Sequence, residues 1–469
     1  MNLPFLAVQD VEPDRALVAS APESLLRRKR VLPLRAEEGH VLVATAAPDD
    51  VQTLDALERA LGTPLRLALA EPRALEVAIE RALLGVARPR LREPGVTDAV
   101  ALLDDLLREA VGRRASDVHV EPLASELRVR FRTDGHLRVR LPSLRLEVAG
   151  PLLSRIKVLA GLDIAEKREP QDGGFSWRSA PEGRPIDLRV ATAPCRHGER
   201  ATIRLLGLET EALTLGTLGL DPGRLATLEG AIARPHGMVL LSGPTGSGKT
   251  TTLYAVLRAL NEPNLNIITV EDPIEYAIPG VNQVQVDGVG KVSFANVLRS
   301  LLRHDPDVLM VGEVRDAETA DVAIKAAMTG HLVLSTIHTS SACGAVTRLV
   351  DLGVEPYLVG STLSLVLAQR LVRRLCPGCK KPGPSSEAPC VPAGCPDCFG
   401  TGYRGRLGVF ELVQLDRELG ALVSRRANEG ELAQEVARRG GRTLREDGLA
   451  RVREGVTTLD EVLAATVES

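Results

Sequence analysis

The stretch MVLLSGPTGSGKTTTLYAVLRAL, from Met238 to Leu260, decides how the chain is read. It opens with four apolar residues of strand type and closes on a run with helical spacing. Between them lies Gly243-Pro244-Thr245-Gly246-Ser247-Gly248-Lys249-Thr250, the pattern G-x-x-x-x-G-K-[ST] in a strand–loop–helix setting. Glycines let such a loop curl so that successive N–H groups converge on phosphate oxygens, and the helix N-terminus adds a favourable dipole. Lys249 then supplies a compact charge for the β- and γ-phosphates, and the Thr250 hydroxyl is placed for Mg²⁺. The plain alternative, a glycine turn, leaves the lysine unexplained in a chain whose basic residues are almost all Arg.

Around this loop, short apolar runs alternate with helical patterns: MVLLSG, NIITVED, VLMVGEV and LVLSTIH. Such runs suit a mainly parallel sheet covered on both faces, which makes the fold class α/β. A phosphate loop needs a strand ending in an acid to complete a metal site, and Val308–Val314 offers Glu313 there, where Asp is more usual. A second acidic strand end is Glu271-Asp272-Pro273-Ile274-Glu275, and a third strand ends at His338. Ligands of α/β sheets gather at this carboxyl edge. Either His338 or His331 alone reads as structural; three such strand ends beside one phosphate loop shift the balance towards a site.

Upstream, LRVRFRTDGHLRVRL (Leu127–Leu141) alternates apolar and basic residues on either side of Asp134-Gly135. It predicts a hairpin with Leu127, Val129, Phe131, Leu137, Val139 and Leu141 on one face and arginines on the other. Two later strands repeat the device. Asp187 and Arg189 oppose Leu188 and Val190, and Arg200, Thr202 and Arg204 oppose Ala201, Ile203 and Leu205. A merely solvated sheet face explains any one of these strands.

Cys376-Pro-Gly-Cys379 and Cys395-Pro-Asp-Cys398, fifteen residues apart, form a C-x₂-C-x₁₅-C-x₂-C pattern. Each knuckle offers two thiolates to one tetrahedral ion, so Cys376, Cys379, Cys395 and Cys398 are expected to hold a structural Zn²⁺. Cys390 is either an idle thiol or a substitute ligand. Cys195 and Cys343 read as buried packing residues.

The 469 residues are enough for several domains, and 44% hydrophobic with 25% charged residues is ordinary globular composition. A formal charge of −3 and 2% aromatic residues argue against nucleic acid as a partner. No run approaches the roughly 18 to 20 apolar residues of a membrane span. The start, MNLPFLAVQDVEP, resembles no signal peptide, so the protein is expected in the cytoplasm with reduced cysteines. Expected domains are 1–90, a small α/β module containing the basic cluster Arg27–Arg30; 97–207, the arginine-rich, PAS-like sheet; 213–375, the phosphate-loop core; 376–410, the tetracysteine module; and 411–469, C-terminal helices. The polar, Pro-rich Ala87–Gly95 reads as a linker. Leu208–Leu215 joins the arginine-rich sheet to the core.

Four stations in order, GPTGSGKT, EDPIE, RHDPDVLMVGEVRD and TGHLVLSTIHT, resemble the Walker A, Asp, Walker B and His boxes of the secretion ATPase superfamily, in its type II secretion and type IV pilus branch. ASDVHVEP (Ala115–Pro122), AEKREPQDG (Ala165–Gly173), GERATIRLL (Gly198–Leu206) and RTLREDGLARVREGVTTLDEV are similar to the family outside the core. The resemblance covers about residues 97 to 465 and is fainter before them.

It implies a RecA-like core after two small α/β N-terminal domains, and a homohexamer hydrolysing ATP with Mg²⁺. It also implies that arginines of the second domain, here Arg189 and Arg204, reach the nucleotide. Glu313 is implied as a metal-site residue and Glu271 as the one positioning water, although the two could exchange roles; His338 completes the set. Implied partners are the cytoplasmic domain of an inner-membrane secretion component, docked by residues 1–90, and an inner-membrane platform protein. The protein would thus be recruited peripherally to the inner membrane. The tetracysteine module sets the chain apart from pilus-retraction ATPases, and the single small N-terminal module favours a type II secretion motor over a pilus extension motor. A third class, a nucleotide-gated scaffold or a nucleic-acid translocase sharing only the phosphate loop, fits the charge and aromatic content poorly.

Overall fold

Why the chain carries two kinds of strand becomes clear once its sheets are traced. The computed structural model describes residues 5–6, 11, 13–22, 25–26, 29–37, 39–85, 98–179, 185–207, 214–286, 293–385 and 387–466. The expected linker Ala87–Gly95, Arg27 and Arg28 of the basic cluster, and most of Leu208–Leu215 lie outside the described residues. Two compact units, Met1–Gly112 and Arg113–Ser469, make up the chain.

In the first unit, β1 (Val31–Glu37) pairs antiparallel with β2 (His40–Thr45), and β3 (Leu65–Leu69) adds parallel to β2. Between β2 and β3 runs the helix Val51–Leu61. Asp50 caps it by accepting from the Thr53 N–H, and Gly62, in the left-handed region at φ 66°, ends it. Leu57 on this helix and Leu75 and Ile79 on the helix Pro72–Gly85 join Leu32, Leu34, Val41 and Val43 in one core. The helix Ala99–Gly112 also belongs to this unit and buries Leu103, Leu106, Leu107 and Ala110.

The second unit holds two seven-stranded sheets. The first comprises β4 (Ala115–Pro122), β5 (Glu126–Thr133), β6 (His136–Val139), β7 (Leu144–Arg145), β8 (Gln171–Trp177), β9 (Ile186–Cys195) and β10 (Gly198–Leu205). Its order is β6-β5-β4-β10-β9-β8, with β7 on β5 and every pairing antiparallel. Leu127, Val129 and Phe131, with Leu188, Val190, Ala201 and Ile203, turn inward, and the helix Ala149–Leu159 lies against β10. The alternation expected of β9 and β10 is present.

The hairpin departs from expectation in its second strand. Phe131 stands opposite Arg138, and Arg130 opposite Val139. Directly opposed residues share a face, and the two-residue turn at Asp134-Gly135 pairs each odd position with an even one. Leu137 and Val139 therefore lie on the arginine side. Val139 and Leu141 are exposed, 47% and 79%. Reading both strands as one continuous alternation ignored that reversal of phase.

The second sheet contains β11 (Gly237–Ser242), β12 (Ile267–Glu271), β13 (Asn282–Gln285), β14 (Val308–Val311), β15 (Leu332–Ile337), β16 (Leu363–Leu375) and β19 (Tyr403–Gln414). The order is β13-β12-β14-β15-β11-β16-β19, parallel from β13 to β16, with β19 antiparallel at the edge. Met238 and Leu240 enter one core with Leu298, Ala323 and Val346 of covering helices; Val239 and Leu241 enter the other with Leu228, Leu253 and Val256. Burial on both faces explains the uninterrupted apolar runs. Between β16 and β19 comes the tetracysteine segment, with its own hairpin β17 (Lys381–Ser385) and β18 (Ala388–Val391). β19 spans the expected 410/411 boundary, and the helices Arg417–Ser424, Glu429–Arg438, Leu444–Arg453 and Leu459–Ala465 follow it. Among the described residues no helix is long and apolar enough to cross a membrane.

Candidate nucleotide and metal sites

The helix Lys249–Leu260 starts on Gly248 with no side-chain cap, so its first N–H groups face the loop. Gly248 is left-handed at φ 91°, and a Cβ there would come within 2.8 Å of Gln369 Nε2. At Gly243 a Cβ would meet the Gln369 carbonyl oxygen at 2.7 Å and Ser247 Oγ at 2.5 Å. Only glycine fits either position, and β16 forms the loop's floor. Gln369 Oε1 also accepts from Thr252 Oγ1 at 2.8 Å.

Lys249 is buried, with Nζ donating to the carbonyls of Gly243 at 2.6 Å and Pro244 at 3.0 Å. Burial pushes its amine down to about 8; the carboxylate of Glu313 opposes this, and the charge of Arg370 adds to it. Ser247 Oγ is buried without a hydrogen-bond partner. A depressed amine, an orphaned hydroxyl and uncapped N–H groups around one glycine-lined loop fit a phosphate group and the Mg²⁺ that accompanies it. Lys249 and the loop N–H groups would hold the phosphate, with Thr250 and Glu313 towards the ion.

Parallel pairing of β14 with β15 and of β15 with β11 puts their carboxyl ends side by side. His338 Nε2 lies 3.4 Å from Glu313 Oε2, so these two expected site residues do meet. Ser242 Oγ donates to the Thr339 carbonyl at 3.1 Å, tying the loop entrance to the His338 strand end. Arg315, which sequence reasoning did not single out, pairs with Glu313 and reaches Asp272 at 3.7 Å.

Glu271 sits differently. It is 3% exposed, and its carboxylate accepts from Tyr254 Oη, from Thr269 Oγ1 at 2.6 Å and from Gln283 Nε2 at 3.0 Å. Burial and that carboxylate raise the Tyr254 phenol well above its ordinary range. Tyr254 is one of only four tyrosines in the chain, and that rarity was the available signal.

Arg189 and Arg204 are cross-strand neighbours on the polar face of the antiparallel sheet. Arg189 Nη2 donates to the Ile274 carbonyl, within the acidic segment, at 2.9 Å. Arg204 is held by Asp117, Nε to Oδ1 at 3.0 Å, and stays 62% exposed. On the same face buried Glu121 pairs with Arg128, Arg130 and Arg200. A stripe of acids on β4 therefore anchors arginines from both neighbouring strands.

The four thiols of Cys376, Cys379, Cys395 and Cys398 converge within 4.8 Å of one another. Cys376 and Cys395 sulfurs are 3.8 Å apart, and those of Cys379 and Cys398 are 3.7 Å apart. A tetrahedral ion with Zn–S bonds near 2.3 Å requires sulfur–sulfur edges of about 3.8 Å, so the set fits zinc. Burial raises the Cys398 thiol, but the Cys395 and Gly402 N–H groups aimed at its sulfur outweigh this and bring it down to about 6. Cys390 is not in the cluster; its Sγ lies 2.8 Å from where a Gly455 Cβ would stand. Cys343 is buried as expected, whereas Cys195, at the end of β9, is exposed.

Residues 95–464 match the family described as Type II/IV secretion system protein, and residues 1–88 match the MshEN domain. Type II secretion system protein E of Pseudomonas aeruginosa is 50% identical over 383 residues, covering 79% of this chain and 76% of that protein. The type IV pilus assembly ATPase PilB of Myxococcus xanthus is 40% identical over 501 residues, covering 97% of this chain and 87% of its own. Among solved structures, the Legionella pneumophila ATPase DotB shares the fold. It superposes with a TM-score of 0.62 at 24% identity, over 80% of this chain and 97% of that one.

Proposed function

Since this chain belongs to the Type II/IV secretion system protein family, we propose that it is an ATP-hydrolysing hexameric motor that drives pseudopilus assembly for type II protein export. The observation that carries this is the phosphate loop with Glu313 and His338 facing each other beside it. Lys249 and the loop N–H groups bind the triphosphate, and Thr250 and Glu313 orient the metal site. Mg²⁺, when bound, neutralises charge developing on the phosphates. Glu271 and Glu313 remain the two candidates for holding the attacking water, and only Glu313 stands beside His338. Arg189 and Arg204 stabilise the charge spreading over the transferred phosphoryl group.

The tetracysteine module is a zinc staple. Residues 1–90 dock onto the cytoplasmic domain of an inner-membrane secretion component, which brings the motor to the inner-membrane platform protein from the cytoplasmic side.

A second reading, pilus extension, is favoured by the PilB match reaching 97% of the chain, N-terminal unit included. Disrupting the gene separates the two. Loss of extracellular proteins with surface pili retained is the expected outcome; loss of pili with secretion intact would establish the second reading.

A further inference from the structure

We propose that Arg370 is an additional phosphate ligand of the bound nucleotide, supplied by the same chain from the strand beneath the phosphate loop. The inference rests on the ATPase reading above.

Arg370 follows Gln369, whose carbonyl oxygen abuts Gly243 and whose amide abuts Gly248. The guanidinium folds back over that contact: Nη1 donates to the Gln369 carbonyl at 3.0 Å and Nη2 to the Ser340 carbonyl at 2.9 Å. Ser340 lies two residues past His338. The guanidinium therefore bridges the Gln369 carbonyl, which abuts the start of the phosphate loop, and the turn that follows the histidine strand. Lys249 Nζ bonds the Gly243 carbonyl, and the charge of Arg370 acts on Lys249, so two cations stand beside the same loop.

Among the described residues neither pairs with an acid, and the Arg370 guanidinium donates to the backbone carbonyls of Gln369 and Ser340. The acid whose field reaches it, Glu411, is itself engaged with the Ala342 N–H. Burial lowers the guanidinium's proton affinity, yet it stays charged at any physiological pH. A half-buried charge satisfied only by neutral carbonyls gains strongly from an anion, and the loop next to it is shaped for one. A phosphate entering the loop would draw Lys249 from the Gly243 carbonyl and Arg370 from Ser340. The strand end carrying His338 would thereby be released when the site fills. Arg370 was invisible in the sequence because one arginine among so many in LAQRLVRRL carries no signal.

The bland account is that Arg370 merely clips the Ser340 loop in place. The test uses the purified full-length chain, comparing the parent with Arg370→Ala and Arg370→Lys. Binding of a non-hydrolysable ATP analogue with Mg²⁺ is titrated, and the thermal midpoint is read without nucleotide. Arg370→Ala should weaken analogue binding about tenfold or more, as expected for losing a charge-assisted hydrogen bond. Arg370→Lys, which keeps charge and loses the fork, should lie between. The nucleotide-free midpoint should hold. If Arg370→Ala folds poorly, Arg370→Lys decides alone, and parental affinity in it overturns the inference. Parental affinity in Arg370→Ala, or a fallen midpoint with unchanged affinity, assigns Arg370 to the clip and leaves the ATPase reading standing. A parent chain that binds no analogue would overturn the ATPase reading itself.

Discussion

The two sheets of the Arg113–Ser469 unit handle polar chemistry in opposite ways. In the parallel sheet, β11, β12, β14 and β15 are buried along their whole length. Candidate functional groups appear there only beyond the strand ends, as Lys249, Glu313 and His338 do. In the antiparallel sheet one face is covered, and the other carries Asp117, His119 and Glu121 flanked by Arg128, Arg130, Arg132, Arg200 and Arg204 along mid-strand. A sheet covered on both sides concentrates chemistry at an edge, whereas one covered on a single side can carry a charged field over its breadth. The first is suited to gripping a ligand, the second to being brought up against it. Arg189 already reaches the edge of the first sheet through the Ile274 carbonyl.

The largest expected effects test that division of labour. Lys249→Ala should abolish productive triphosphate binding, and Glu313→Gln should impair the metal site, each lowering turnover by orders of magnitude with the fold intact. Arg189→Lys and Arg204→Lys should instead lose most turnover while binding ATP nearly as well as the parent, because the planar fork serves the transition state. Fingers of this kind contribute about 10³ to 10⁵ in rate. Arg138→Lys, on the exposed edge strand β6, is the control. Phosphate-release assays beside nucleotide titrations check all of these, and parental turnover in both Arg189→Lys and Arg204→Lys would reduce the polar face to solvated sheet.

A smaller effect concerns what joins the two sheets. The tetracysteine module lies against the antiparallel sheet: Arg113 stacks between the rings of Phe131 and Phe399, 5.2 and 4.9 Å from their centroids, and the Gly405 N–H donates to Asp134 Oδ2 at 3.0 Å. It also lies against the C-terminal region, where Lys380 Nζ donates to the Gly455 carbonyl; just before the module, Arg373 near the end of β16 forks onto Glu461. Elemental analysis should find about one zinc per chain. Cys376→Ser should lose the metal and lower the thermal midpoint, with Cys390→Ser as the unaffected comparison. Folded, metal-free parent protein would overturn the zinc assignment.

The smallest effect is a pH dependence at the gripping edge. Lys249 has a folded pKa near 8, below its ordinary 10.5, so the apo fold favours the neutral amine. Its contribution to stability is full above the ordinary value and is lost as pH falls towards 8. A bound triphosphate reverses the preference and favours the ammonium form. Affinity should therefore be highest below pH 8 and weaken above it, by at most about tenfold per pH unit. Calorimetry between about pH 7.5 and 9 should also show proton uptake on binding. An affinity flat across that range would place Lys249 away from the phosphates.

What could be read without coordinates was whatever a dozen consecutive residues specify. The phosphate loop, the paired cysteine knuckles and the alternation in β9 and β10 are local patterns, set by glycine conformation, thiol spacing and the two-residue period of a strand. The acid at Glu313 and the histidine at His338 were legible as strand ends for the same reason. Their meeting at 3.4 Å was not, because it depends on β14 and β15 pairing in parallel and in register. The hairpin was misread at Leu137 and Val139 because facing residues across a turn are set by cross-strand register, which alternation along one strand does not encode. The contacts that complete the candidate site join residues far apart in the chain: Arg189 to Ile274 across 85 positions, and Thr252 to Gln369 across 117. Neither residue of such a pair carries a mark of the other, and an arginine in an arginine-rich chain carries the least. Those partnerships exist only once buried strands have aligned and a single packing has brought distant side chains within hydrogen-bond reach.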